Sequence, residues 1–437
     1  LIAIILPIGL MLFLSLCRVP VIASIIFSSL LAGCLSHLGL HNTLQSFNTG
    51  IENGASIALS YALLGSFATG LAKTKVPLWA CEKISVLLLA TRTQWPKVIL
   101  FSTLLVVAIF SQNIIPIHIA FIPIMLPPLL LLMTRMSVDR RAIACMLTFG
   151  LVATYLYIPV GFGAIYLEEI LLKNLKFSGL DTQGINLYLA MSLPILGMFI
   201  GLLIALFFTY KKPRAYAESV ENIQLAIPKT PPKIKIAACI IAVITTFSVQ
   251  LATHSMILGG LMGFAILVLF RLIKIEETEG IFVSGIKMMA SIGFIMISAQ
   301  GFAQVLRDTG EITVLVNSVG QILAEHEGIG VFAMLFVGLL ITLGIGSSFS
   351  TIPIIATILV PICLSAGFSP LAIAALIGTA GALGDAGSPA SDSTLGPSAG
   401  LNSDGQHDHI RDTVWPTFIH FNIPLLLFGW VAVMLLK

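Results

Sequence analysis

Asp385 and Asp392 stand in the run GDAGSPASDSTLG (Gly384 to Gly396), interleaved with four hydroxyl side chains, Ser388, Ser391, Ser393 and Thr394. Carboxylate and hydroxyl oxygens are hard ligands that suit a small cation such as Na+, and a carboxylate can take a proton in the cation's place. The run follows directly on the apolar LAIAALIGTAGAL, so its charges enter a setting where a bare carboxylate is costly. Gly, Pro and Ser interrupt a helix there. The two half-helix ends then present carbonyls on one side and amide hydrogens on the other, which together can hold a cation beside an anionic group. Polar residues break other apolar stretches in the same manner: Ser111, Gln112 and Asn113 in SQNIIP, Gly346, Ser347 and Ser348 in GIGSSFSTIP, and the segment YIPVGFG from Tyr157 to Gly163. His118, near the first of these, and His420, in the last apolar run, are candidate proton relays.

The elements that must position these groups are membrane helices. Of 437 residues, 57% are hydrophobic and 10% charged, and the mean hydropathy is +1.03, against roughly 45–50% and 25% in soluble domains. Apolar runs long enough to cross a bilayer recur from end to end, which excludes a soluble enzyme or binding module. The formal net charge of +3 does not mark a nucleic-acid partner, because the basic residues fall between the apolar runs, where they set topology. The partner implied is the lipid bilayer. Arg18, the first basic residue, follows the first apolar run, the reverse of a signal peptide's order. The six cysteines are scattered without a CxxC spacing and read as small buried hydrophobes.

A shift of 235 positions lays Gly50–Thr74 on Gly285–Thr309 with nine identities in twenty-five positions, where chance in so apolar an alphabet gives roughly two or three. LTFGLVATYLYIPVG then falls near IGTAGALGDAGSPAS, and FSQNIIP near IGSSFSTIP. Lys211, Lys212, Arg214, Lys229, Lys233 and Lys235 place the segment between the halves in the cytoplasm. Equivalent loops of the two halves differ in charge: RMSVDRR is basic and SAGFSP is not, whereas the loop after Leu40 lacks the Arg271, Lys274 and Lys287 of its counterpart. The expected fold is therefore an all-α polytopic membrane protein of two inverted-topology repeats, residues 1–210 and 236–437, joined by a cytoplasmic linker, 211–235. Each repeat has about five transmembrane helices and one re-entrant hairpin, Val98–Met133 in the first and Ile329–Leu364 in the second. The interrupted helices meet at the midplane.

GDAGSPASDST resembles the GD-x-x-SP-x-SDT signature of NhaC-type sodium/proton antiporters, and GSSFST is similar to that family's GTS-containing motif. The family belongs to the ion transporter superfamily. The later run GPSAGLNSDGQHDHIRDTVWPTFIHFNIP resembles a subgroup of these antiporters, some of whose members are predicted to carry amino acids such as histidine. The first half departs from the signature, with YIPVG where the second half has its aspartates. The resemblance implies an integral protein of the bacterial inner membrane, homodimeric, with a scaffold and a moving transport part. It would exchange Na+, held at Asp385 and Asp392, for H+ by alternating access. The alternative is cation-coupled movement of a small organic solute such as an amino acid. No cofactor beyond the coupling ions is implied.

Two other patterns carry less. DGQHDHIRD (Asp404 to Asp412) has histidines and carboxylates in metal-ligand company but reads as a solvated loop or gate. HEGIG at His326 lacks the second histidine of HExxH, and GxSxG and Walker A patterns are absent, so an enzyme is not expected.

Overall fold

The computed structural model describes residues 2–17, 19–80, 83, 96–113, 122, 125–217, 230–253, 255–311, 326–389 and 391–437. All elements among them are helical. Six helices are long and apolar enough to cross a membrane, or seven with one bent pair counted as a span. The chain is an integral membrane protein.

Helix starts follow from local chemistry. Asp139 accepts from the Arg141 amide (3.0 Å), Asn186 from Leu189 (3.1 Å) and Ser369 from Ala372 (3.1 Å) with Pro370 behind it, each satisfying an amide that the first turn leaves free. The spans at Ile51–Ala72 and Ile286–Leu306 expected from hydropathy prove to be the ends of longer helices, Leu40–Lys73 and Ile275–Asp308, each 34 residues. The hydroxyls of their polar first halves are satisfied within the helix, by bonds back to carbonyls one turn earlier: Thr43 to Gly39 (2.8 Å), Thr49 to Gln45 (3.1 Å), Thr278 to Lys274 (3.1 Å) and Ser284 to Gly280 (2.8 Å).

These two helices pack on each other through small residues, and their contacts are reciprocal at the 235-residue shift. A Cβ on Gly50 would meet the backbone of Gln300 and Gly301, and one on Gly285 would meet the backbone of Gly65 and Ser66. Gly54 touches the Gln300 side chain while Gly65 touches Met289. Phe47 lies on Gly301, and Ser66 donates to the Phe282 carbonyl (3.0 Å). Ala58 and Gly293 face each other. Close approach of this kind, without side chains between the backbones, is the usual basis of tight helix pairing in a bilayer.

Val21–Leu35 from the first half and Met256–Leu269 from the second pack on the pair, Lys233–Thr253 packs on Met256–Leu269, and Ile2–Leu16 packs on Val21–Leu35 and on Glu327–Ile345. The remaining helices form a second group that contains every break of interest. Arg140–Tyr155 stops, and the chain resumes helix at Phe162. Pro370–Ala382 stops, passes through a turn at Asp385–Gly387, and resumes at Asp392–Leu401. Helices Glu327–Ile345 and Ser348–Ser365 meet at Gly346 and Ser347, where Gly346 takes a φ of 78°. Pro96–Asn113 ends on the polar triplet. The rest of the tip expected for the first hairpin, including His118, lies outside the described residues.

Candidate ion and solute site

Asp385 is buried, and each of its oxygens is held by hydroxyls. Oδ2 accepts from the Tyr155 phenol (2.5 Å) and from Ser348 Oγ (3.1 Å), and Oδ1 accepts from Ser391 Oγ (2.5 Å). Tyr155 and Ser348 also share a hydrogen bond of 2.9 Å. Three interruptions thus converge on one carboxylate: the end of Arg140–Tyr155, the junction of Glu327–Ile345 with Ser348–Ser365, and the Asp385 turn with Ser391. A carboxylate in apolar surroundings persists only when its lone pairs are so occupied.

Beside Asp385 lies a cavity of about 30 Å³, walled by Asp392, Ser393, Gln112, Ser347 and Tyr61 among others. That is room for about one water molecule or one bare monovalent cation. Among the described residues Gln112 Oε1, an acceptor, and the Tyr61 hydroxyl, donor and acceptor both, are buried without a hydrogen-bond partner, a state normally costing about 1–3 kcal/mol per group. The two carboxylates and the Gln112 oxygen point to a positive occupant. Asp392 stands in the first turn of its helix, and the cap is made by Ser391, whose Oγ accepts from the Ser393 amide (3.1 Å). Capping therefore does not occupy the Asp392 carboxylate.

The other residues expected at the site divide by where their polar atoms go. Gly346, Ser347 and Ser393 line the cavity. Thr394 Oγ1 is directed to the carbonyls of Ser388 (2.6 Å) and Ser391 (2.9 Å), and Ser388 Oγ to that of Leu343 (3.4 Å), so both brace the loop. Ser111 Oγ bonds back to Ala108 (3.0 Å). Asn113 Nδ2 bonds back to Ile109 (3.3 Å), while its Oδ1 is buried without a partner. Its carbonyl lies where a Cβ on Gly161 would be, and Gly161 has a φ of 61°, so only glycine lets the end of Pro96–Asn113 and the break after Arg140–Tyr155 approach so closely. His420 bonds to Thr209 Oγ1 through Nε2 (2.9 Å) and to the Pro416 carbonyl through Nδ1 (2.7 Å), and has no hydrogen bond to either site carboxylate.

Sequence reasoning missed the aromatic wall. Phe349 packs against Tyr155 (5.2 Å between ring centroids), Tyr166 (5.4 Å), Phe162 (5.7 Å) and Tyr61 (6.3 Å), and Tyr61 stacks on Phe162 at 5.3 Å. One signal was available. The register that lays LTFGLVATYLYIPVG on IGTAGALGDAGSPAS places Tyr155 opposite Asp385. Nothing in the sequence singled out Tyr61.

The run DGQHDHIRD is a docked loop. The Arg140 guanidinium is fully buried and makes two bonds of 2.6 Å to Asp404, with a third to the Leu401 carbonyl (3.0 Å). Tyr216 of the linker covers it, 4.2 Å from ring centroid to guanidinium carbon. Gln406 pairs with both backbone groups of Ala217 (2.7 and 2.9 Å), and Arg214 bonds Asp412 (2.7 Å). His407 bonds Thr413 (2.7 Å), and burial pushes its imidazole down to about 4. Asp404 is raised by burial but held below the usual carboxylate range by Arg140. His409 reaches Ser398 Oγ (2.7 Å) and the Pro389 carbonyl (3.0 Å). Among the described residues no three metal-ligating side chains gather.

Comparison with known proteins gives the family and the fold. The profile of the Na+/H+ antiporter family matches residues 146–430, and that of a second Na+-H+ antiporter family matches residues 2–88. An "Uncharacterized membrane protein" of Haemophilus influenzae is 51% identical, covering 98% of this chain and 97% of its own. The "Putative amino acid transporter YuiF" of Bacillus subtilis is 43% identical, over 99% of this chain and 100% of its own. The crystal structure of the YdaH transporter of Alcanivorax borkumensis superimposes with a TM-score of 0.59 at 14% identity, over 98% of both chains. MtrF of Neisseria gonorrhoeae, placed by its authors in a class of antimetabolite efflux pumps, gives 0.59 at 14% identity over 91% of this chain and 86% of its own. At such identity the likeness is one of fold.

Proposed function

Because the chain belongs to the Na+/H+ antiporter family, a family of the NhaC-like class, we propose that this secondary transporter exchanges Na+ for H+ at Asp385 and Asp392 by alternating access. The observation that carries the reading is the cavity beside Asp385. It is sized for one ion, walled by two carboxylates, and supplied with the Gln112 oxygen, an acceptor that has no donor among the described residues. Na+ would bridge the carboxylates with Gln112 Oε1 as a neutral ligand. When it leaves, a proton takes its place, since an unneutralised pair of carboxylates at this depth is too costly to move across the membrane.

The architecture proposed for this cycle is the inverted repeat with two opposed hairpins. The reciprocal contacts of the 34-residue helices support it, because residues related by the 235-position shift exchange roles across the pair. Those helices would form the fixed scaffold, in a homodimer in the bacterial inner membrane. The group bearing Tyr155, Ser348 and Asp385 would move as a unit, in the manner of an elevator.

A second reading has its own support. The rings of Tyr61, Phe162 and Phe349 offer faces for an organic solute with a positive charge or a ring, and the relative 43% identical carries an amino-acid transporter's name. In that reading the cavity holds the coupling ion and widens for an amino acid. Purified protein in liposomes with a trapped pH dye separates the two. Competition of Na+ and H+ for one site predicts Na+-driven proton movement with no amino acid present, and an apparent Na+ affinity that weakens as pH falls, by up to about tenfold per unit for one displaced proton. Proton movement that appears only when an amino acid is added would move the conclusion to the second reading.

A further inference from the structure

A groove of about 380 Å³ opens between Pro96–Asn113, Arg140–Tyr155 and Leu187–Thr209, at the membrane end where the last of these runs into the linker. Its floor is hydrocarbon, with Phe101 and Leu105 on one side and Leu202 and Leu206 on the other. From Lys97 to Leu105 it reaches about 12 Å along the helix at 1.5 Å per residue. Its rim is basic. Lys97, Lys211 and Lys212 line it, and all three are exposed.

The one carboxylate at the groove does not balance them. Asp139 is engaged by Arg141, whose Nε lies 3.1 Å from both carboxylate oxygens and whose terminal nitrogen lies 2.7 Å from Oδ2. The Arg141 guanidinium also stacks on Tyr210, 4.7 Å from the ring centroid. Among the described residues none of the three lysines has a carboxylate partner. The groove thus combines an apolar trough with a rim of three ammonium groups that have no carboxylate partner among the described residues.

We propose that this groove is a binding site for one anionic phospholipid, its phosphate among Lys97, Lys211 and Lys212 and an acyl chain along Phe101, Leu105 and Leu206. Charge complementarity selects the occupant. A soluble anion would leave the trough empty, and a zwitterionic lipid would bring a cation of its own to the rim. Basic pockets between helices on the basic side of a membrane protein recognise headgroups by this chemistry. The bound lipid would rest on the junction of the last span of the first half with the linker. The proposal does not depend on which solute the protein carries.

Native mass spectrometry of the purified full chain, titrated with phosphatidylglycerol or phosphatidylcholine, tests it. The wild type should retain one phosphatidylglycerol with roughly tenfold preference over phosphatidylcholine. The triple variant K97Q/K211Q/K212Q should lose the preference, and K97R/K211R/K212R should keep it. Ser102→Trp, which fills the trough without altering charge, should release the retained lipid. A triple glutamine variant that holds phosphatidylglycerol as the wild type does, or a Ser102→Trp variant with its lipid still bound, would overturn the assignment.

Discussion

The Tyr155 phenol donates to Asp385 Oδ2 across 2.5 Å, joining the broken ends of Arg140–Tyr155 and Pro370–Ala382. A hydrogen bond to a charged group contributes about 1.5–3 kcal/mol, so Tyr155→Phe should slow exchange by about tenfold or more. The ring contacts to Phe349 and Tyr166 remain in that variant, so it should stay folded, with stability lowered by no more than about 1.5–3 kcal/mol. Flux and melting, measured on the same preparation, check both halves of this expectation.

Arg140 is the largest fully buried side chain, and its charge is answered by Asp404. Removing one partner of such a pair costs about 3–5 kcal/mol, because the other is left unpaired. Arg140→Ala and Asp404→Ala should each lower stability, Asp404→Ala by an amount of that order, because it leaves the fully buried guanidinium without its counter-charge whereas Asp404 is partly exposed. The double variant should lose less than the sum of the two. Additive losses in detergent melting would mean that the two residues are not coupled.

The docked loop should loosen in mild acid. The His407 imidazole is held at about 4 by burial, against about 6.5 when exposed, and its Nδ1 is buried without a partner. Above 6.5 both docked and undocked loops carry neutral imidazole, and docking is at full strength. Between 6.5 and 4 the undocked loop takes a proton that the docked loop refuses. Docking then weakens by at most about 3 kcal/mol. The charged neighbours Asp412, Asp139, Arg140 and Arg214 partly offset one another. Asp404, held low by Arg140, adds a loss only at still lower pH. Hydrogen exchange across residues 402–408, corrected for the intrinsic pH effect, should rise over that window in the wild type, and His407→Gln should flatten the rise.

Gly50 and Gly285 occupy matching positions in the two long helices, each against the other helix's backbone. A methyl group at either has no flexible neighbour to displace, and overpacking of this kind costs about 1–3 kcal/mol. Gly50→Ala and Gly285→Ala should therefore destabilise by similar amounts. A large effect from one and none from the other, in detergent melting, would argue against reciprocal packing.

Much of this arrangement is legible in the sequence where polar residues break apolar runs. Asp385, Ser348 and Ser391 stand at breaks in composition, and the structure brings them onto one carboxylate. Hydropathy marks the apolar span within Leu40–Lys73 but not the helix's polar extension before it, because it scores residues such as Thr43 as polar without seeing that their hydroxyls are satisfied inside the helix. Ser388 and Thr394 carry the right chemistry for ion ligands, but hydroxyls also brace loops, and residue type does not tell the two uses apart. Tyr61 is one aromatic residue in an apolar helix. Its place at the cavity comes from tertiary packing alone.

The central claim is that Asp385 is the carboxylate at which Na+ and H+ exchange. Asp385→Asn keeps the size and much of the hydrogen bonding of the side chain while removing its charge and its exchangeable proton. The decisive measurement is uphill Na+ accumulation in proteoliposomes driven by an imposed pH gradient, for the wild type and for this variant at matched incorporation. The account predicts accumulation in the wild type and none above protein-free liposomes in Asp385→Asn, with the variant still monodisperse and no less stable to heat. Wild-type accumulation by Asp385→Asn would contradict it.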